Sequence, residues 1–185
     1  MCIIAVKSCK AEWPSEEAII NCCDANRDGF AFAWNEGNKT KTFRTMSQKK
    51  ALDFYRTFVT EHDCKQTSMI FHARWATHGT KTQKNTHCWK ANNIAFAHNG
   101  IMHIYDNDLD KTDSEYFFRN VFMPMARKNL DVALKTADVI ATQTHSRFAF
   151  IKGSYTVILG NNWYKDKQTG VLYSNLGFQG HRRIF

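Results

Sequence analysis

The sequence is poor in proline, with two among 185 residues, and it lacks any long apolar run, any Cys-x-x-Cys pair, any internal repeat and any low-complexity tract. Apolar runs such as Ile3 to Val6 and Ile94 to Ala97 fall far short of the about 20 residues that a membrane-spanning helix requires. No membrane span is therefore expected. At the N-terminus, Lys7 intervenes before the apolar region of a secretory signal, about 7 to 15 residues long, can form. With no Pro/Ser-rich linker to divide it, the chain reads as a single domain over residues 1–185. The six cysteines, Cys2, Cys9, Cys22, Cys23, Cys64 and Cys88, have no regular spacing, which points to free thiols in a reducing compartment, the cytoplasm.

What is present is the composition of a globular domain: 43% hydrophobic and 23% charged residues, long enough to bury a core without disulfides or a metal. Lys and Arg number 25 against 17 Asp and Glu, a formal charge of +8. Such a balance favours acidic partners, nucleic acid included. The basic residues are scattered, however, and no zinc-finger spacing or RNA-recognition pattern accompanies them, so a solvated basic surface is the plainer reading.

Periodicity predicts a mixture of strands and helices. Cys2 to Lys7 reads as a strand, and Pro14-Ser15-Glu16-Glu17 opens a helix ending near Asp24. Phe30 to Trp34 and Thr40 to Arg44 pair as a hairpin, Ser47 caps a helix running through Val59, and Ser68 to Ala73 is the next strand. Ile94 to His98 ends in an Asn99-Gly100 turn signal. Two helices follow, Asp113 to Lys128 and Leu130 to Ala141, and then strands at Phe148 to Lys152, Tyr155 to Leu159 and Val171 to Tyr173. This order predicts an α+β fold with a layered sheet core.

The chemistry-bearing residues lie at the ends of these elements. Cys2 directly follows the initiator methionine, and removal of Met1 leaves a thiol and a free α-amine on one residue, a nucleophile with its own base. The segment Phe71-His72-Ala73-Arg74-Trp75-Ala76-Thr77-His78-Gly79 leaves a strand carrying a guanidinium, a hydroxyl and an imidazole, donors suited to a carboxylate. Ala97-His98-Asn99-Gly100 offers an amide donor beside a glycine N–H, the parts of an oxyanion hole. Thr112-Asp113-Ser114-Glu115 opens a helix with an acid that can cap it or bind an ammonium group. Taken singly, these are a strand cysteine, a surface arginine, a turn and an N-cap.

Together and in this order they resemble the class II glutamine amidotransferase domains, N-terminal-nucleophile hydrolases such as the glutaminase domain of glucosamine-phosphate synthase. The likeness covers most of the first 120 residues and is most specific at Arg74-Trp75-Ala76-Thr77-His78-Gly79. It implies a four-layer αββα sandwich of two antiparallel sheets flanked by helices. It also implies that Cys2 attacks the glutamine amide, that Asn99 and Gly100 form the oxyanion hole, and that Arg74 binds the α-carboxylate with Thr77 and His78 nearby. Asp113 would hold the α-ammonium, and Trp75 stands at a position associated with ammonia passage, although packing is its first reading. Asn26-Arg27-Asp28-Gly29-Phe30 resembles the family's Asn-Pro-Asp-Gly loop. The implied activity is hydrolysis of glutamine to glutamate and ammonia through a γ-glutamyl thioester, with the ammonia passed to a separate acceptor or synthase protein, since no synthase domain follows in this chain.

Three departures stand out. Cys88 replaces a proline in Asn85-Thr86-His87-Cys88-Trp89, Arg27 replaces a proline, and Ala31 replaces a common glycine. Alternative readings are an amidohydrolase of another γ-glutamyl compound and a catalytically silent basic binding protein. His72, His78, His87, His98 and His103 fall in one stretch, but their spacing matches no zinc motif, so neither a metal nor a cofactor is expected and the histidines are read as loop and strand-end residues.

Overall fold

The computed structural model describes residues 1–77, 79–104 and 112–180. One sheet contains, in spatial order, β3 (Lys39–Thr45), β2 (Phe30–Glu36), β4 (Met69–Ala73), β1 (Ile3–Lys7), β10 (Leu172–Tyr173) and β9 (Tyr164–Lys165). The other contains β5 (Trp89–Ala91), β6 (Ile94–Asn99), β7 (Arg147–Lys152) and β8 (Tyr155–Leu159). All pairings are antiparallel.

The four-layer arrangement follows from residue size along the strands. In the first sheet Ile3, Ala5, Phe30, Phe32 and Phe71 face outwards and pack with Ile19, Cys22 and Cys23 of α1 (Glu16–Ala25) and Tyr55 and Phe58 of α2 (Gln48–Glu61). The alternate residues Ile4, Val6, Ala31, Ala33 and Ile70 meet Ala95, Ala97, Ala149 and Ile151 of the second sheet. On that sheet's far side Phe96, Phe148 and Phe150 pack with the helices that follow β6. The aromatic residues of the strands thus face helices, while alanines and branched aliphatics face the opposing sheet. Strands buried on both faces need apolar residues at consecutive positions, with side chains alternating between the two layers.

Residues 113–143 are helical except at the extended Asn129, but not uniformly so. α3 (Asp113–Tyr116) passes into a π-helical stretch, Phe117–Phe122, then α4 (Met123–Lys128) and α5 (Leu130–Gln143). In the π stretch the Met123 N–H reaches back five residues to Phe118 O. Pro124 directly follows and has no N–H to continue an α-helical ladder. The helix expected over Asp113 to Lys128 is therefore interrupted. Two strands escape the sequence reading: β5, joined to β6 by Asn92 and Asn93, both at positive φ, and β9. Among the described residues no helix is long and apolar enough to cross a membrane.

Candidate active site

The register of the first sheet builds the site. Ile3 lies opposite Ala73, so Cys2 and Arg74 are the next residues beyond the paired ends of β1 and β4. Cys2 Sγ lies 3.4 Å from Trp75 N, accepting its N–H, and 3.5 Å from Trp75 O. Burial pushes the thiol pKa up, opposed by the Trp75 backbone, the chain amino terminus and Arg74.

The main chain around Cys2 is held from the other end of the sequence. Asn175 Nδ2 donates to Cys2 O at 2.8 Å, and Ser174 Oγ accepts from Ile4 N at 2.9 Å. Asn26, on the loop after α1, completes the clamp: with its amide oriented to satisfy its neighbours it donates to Met1 O (3.2 Å) and accepts from Ile3 N (3.3 Å). Ser174 and Asn175 carry no signal in the sequence, because their relation to Cys2 is set by the β1–β10 pairing.

Asn99 ends β6 rather than entering a turn, and its side chain is fully buried with Nδ2 donating to Ser174 Oγ at 2.9 Å. Its Oδ1 has no hydrogen-bond partner among the described residues. Gly100 follows at φ +150°, and a Cβ there would lie 2.2 Å from Ser146 Oγ, so only glycine fits.

Arg74 is buried, its N–H donating to Gly29 O at 2.8 Å and Nη1 to Thr80 O at 3.0 Å. The loop beyond is pinned by Asp28, which accepts from Ala76 N at 2.9 Å and pairs with Lys81 at 2.8 Å. Asp113 Oδ2 accepts from Met102 N at 2.7 Å, and its Oδ1 accepts from Ser114 N (2.7 Å) and Ser114 Oγ (3.0 Å). A carboxylate has about four lone-pair sites, so capacity remains for a ligand ammonium.

One small pocket is lined by Cys2, Arg74, Trp75, Thr77, Gly100, Asp113 and its neighbours Thr112 and Ser114, together with His87. The structure thus brings together Cys2, Arg74, Trp75, Thr77, Gly100 and Asp113, with Asn99 adjoining. His78 lies outside the described residues. Trp75 is 51% exposed and is not a packing residue.

His87, which lines the pocket, belongs to a buried cluster of three histidines. His72 and His87 stack with centroids 4.0 Å apart and planes at 9°. His72 Nε2 meets His98 O at 3.3 Å, while His87 Nδ1 accepts from His98 N at 3.1 Å. His98 itself turns to the helix side, where its ring nitrogens meet Ser114 Oγ (2.7 Å) and Ser146 Oγ (3.1 Å). Burial lowers all three imidazole pKa values, His72 to about 3 and His98 to about 4, so all are neutral at pH 7. Cys88, next to His87, has φ +62°, a conformation closed to proline, whose ring fixes φ near about −65°. This loop therefore follows a path that the proline it resembles would forbid.

Comparison with known proteins agrees with this architecture. Residues 8–162 match the sequence model of the class-II glutamine amidotransferases. Glutamine–fructose-6-phosphate aminotransferase (isomerizing) of Gluconobacter oxydans is 43% identical over 51 residues, 28% of this chain and 8% of that protein. The Haemophilus influenzae protein of the same name is 24% identical over 127 residues, 68% of this chain and 20% of its own length. This chain therefore spans at most about a fifth of these curated relatives. The solved structure of glutamine phosphoribosylpyrophosphate amidotransferase from B. subtilis, complexed with ADP and GMP, superposes with a TM-score of 0.55 at 13% identity, covering 94% of this chain and 42% of that one, and shows the shared fold. On the extent of the family match, the chain belongs to the class-II glutamine amidotransferases.

Proposed function

We propose that residues 1–185 act as one glutaminase unit that hydrolyses the side-chain amide of glutamine to glutamate and ammonia, and that the ammonia passes to a separate acceptor protein. The observation that carries this reading is the convergence of Cys2, Gly100, Arg74 and Asp113 on one pocket.

Removal of Met1 frees the Cys2 α-amine, which takes the thiol proton as sulfur attacks the amide carbon. The tetrahedral oxyanion accepts from Asn99 Nδ2 and the Gly100 N–H, and the α-amine returns the proton to departing ammonia. Water then cleaves the γ-glutamyl thioester and regenerates the thiol. Arg74 binds the substrate carboxylate with Thr77 and His78, Asp113 binds its ammonium, and Trp75 covers the site.

The test is the intact mass of protein expressed from its native start, before and after treatment with 6-diazo-5-oxo-norleucine, a glutamine mimic that alkylates such nucleophiles. Loss of Met1 and a single adduct, abolished by Cys2→Ala, is expected. Retained Met1 with no adduct would exclude Cys2 as a processed nucleophile.

A further inference from the structure

We propose that Cys2, His72 and His87 form a binding site for a soft divalent cation, zinc being the fitting one, and that its occupancy reversibly blocks the nucleophile. The inhibitory half of this proposal rests on the reading of Cys2 as the attacking thiol. The binding half stands on geometry alone.

Each of the three residues offers one ligand atom, and these atoms all lie within 4.8 Å of one another. A tetrahedral zinc with Zn–S of about 2.3 Å and Zn–N of about 2.0–2.1 Å sets its donors roughly 3.5 Å apart, so the side chains need draw in by only about 1 Å. The hydrogen bonds leave the right nitrogens over. His72 Nε2 is engaged with His98 O, and its Nδ1 is a buried atom with no partner among the described residues. His87 Nδ1 is engaged with the His98 N–H, leaving Nε2 on a residue that lines the pocket. The main chain of one residue, His98, thus fixes both rings, the backing that metal-bound imidazoles ordinarily have.

An unpartnered, fully buried imidazole nitrogen is costly, and its presence beside a thiol calls for an explanation. A cation supplies one. Burial keeps both rings neutral, the form that ligates. The pocket's free space is ≈ 20 Å³, enough for one water-sized body or an ion. On binding, the Cys2 S–H proton leaves to solvent and the S–Zn bond replaces it. Once Met1 is removed, the Cys2 α-amine adds a fourth donor and closes a five-membered chelate with Sγ, completing an SN3 set. Arg74 repels a cation here and Asp113 attracts it.

The experiment uses the full chain, stripped with a chelator and titrated with Zn2+ and, as a spectroscopic stand-in, Co2+. Expected is one Zn2+ per chain, with a thiolate-to-cobalt charge-transfer band that Cys2→Ser removes and Cys64→Ser preserves. His87→Asn, which keeps an acceptor for the His98 N–H, should weaken binding at least about 10-fold, the lower end of what loss of a mere supporting partner costs. Cys2→Ser exchanges only sulfur for oxygen at a side chain whose hydrogen bonds, among the described residues, are with the Trp75 backbone, so it tests the site even where a histidine variant fails to fold. Binding unaltered by Cys2→Ser, or no stoichiometric binding, would overturn the proposal. Glutamine hydrolysis is measured alongside: a protein that binds zinc through Cys2 without hydrolysing glutamine keeps the site and loses the proposed function, and one that hydrolyses glutamine without binding zinc does the reverse.

Discussion

Asn99 is held by Ser174: the Asn99 Nδ2 donates to the Ser174 hydroxyl at 2.9 Å, and the same oxygen accepts from the Ile4 N–H at 2.9 Å. One hydroxyl therefore ties the oxyanion candidate of the second sheet to the nucleophile's strand in the first. Asn99→Ala should cut glutaminase kcat by about 100- to 1,000-fold, the usual cost of losing an oxyanion donor. Ser174→Ala, which touches no substrate atom, should cost about 10-fold in kcat with KM little changed, because misplacement rather than loss of a donor is at stake. Steady-state kinetics on both variants check this, and an Asn99→Ala effect under tenfold would remove Asn99 from the role.

Gly100→Ala is expected to destabilise the fold as well as the site. The added methyl meets Ser146 Oγ at 2.2 Å and Ser146 Cα at 2.9 Å, and the second contact is with backbone that a rotamer change cannot relieve. A loss of about 1–3 kcal/mol in urea unfolding is the expected size.

Arg74→Lys should raise KM for glutamine by about 10- to 100-fold while kcat falls less, since a compact ammonium cannot reproduce the forked contact with the substrate carboxylate that is proposed for Arg74. A kcat loss without a KM change would exclude Arg74 from carboxylate binding.

Acid should unfold the chelator-treated protein earlier than its carboxylates alone require. His72 is held at about 3 and His98 at about 4 by burial, with His87 also lowered. In the unfolded chain these groups titrate near about 6.5. Unfolding therefore takes up protons below that pH, so their contribution is fully present above about pH 6.5 and is lost as the pH falls towards 4. The urea midpoint should decline between pH 7 and pH 5, and a flat profile would contradict this.

The sheets were legible because their strands obey local rules. Ile3 to Val6 and Ile94 to Ala97 are continuous apolar runs bounded by polar residues, and Ser15 caps α1 as its position before Glu16 and Glu17 predicts. The Asn92-Asn93 hairpin was legible in principle, since Asn tolerates positive φ, but the three residues of β5 are too few for periodicity to register. The π stretch was hidden because Phe117, Phe118 and Phe122 fit a helical face whichever ladder is used. At the site, the Arg74 loop and Asn99-Gly100 stood out through residue type. Which of the clustered histidines face Cys2 did not, because His72 and His98 lie on different strands whose faces are assigned only when the two sheets pack. Ser174 and Asn175 were invisible for the same reason, being separated from their partners on the Cys2 strand by 170 residues or more.

That separation bears on how the protein is made. Residues 2 to 4 are synthesised well before two of their side-chain anchors, Ser174 and Asn175, which lie beyond residue 162, where the family match stops. During most of translation these two anchors are absent, so the Cys2 end of β1 waits for the last strand to be held. Docking of β10 against β1 then works as a latch, fastened only once the later part of the chain has folded into place.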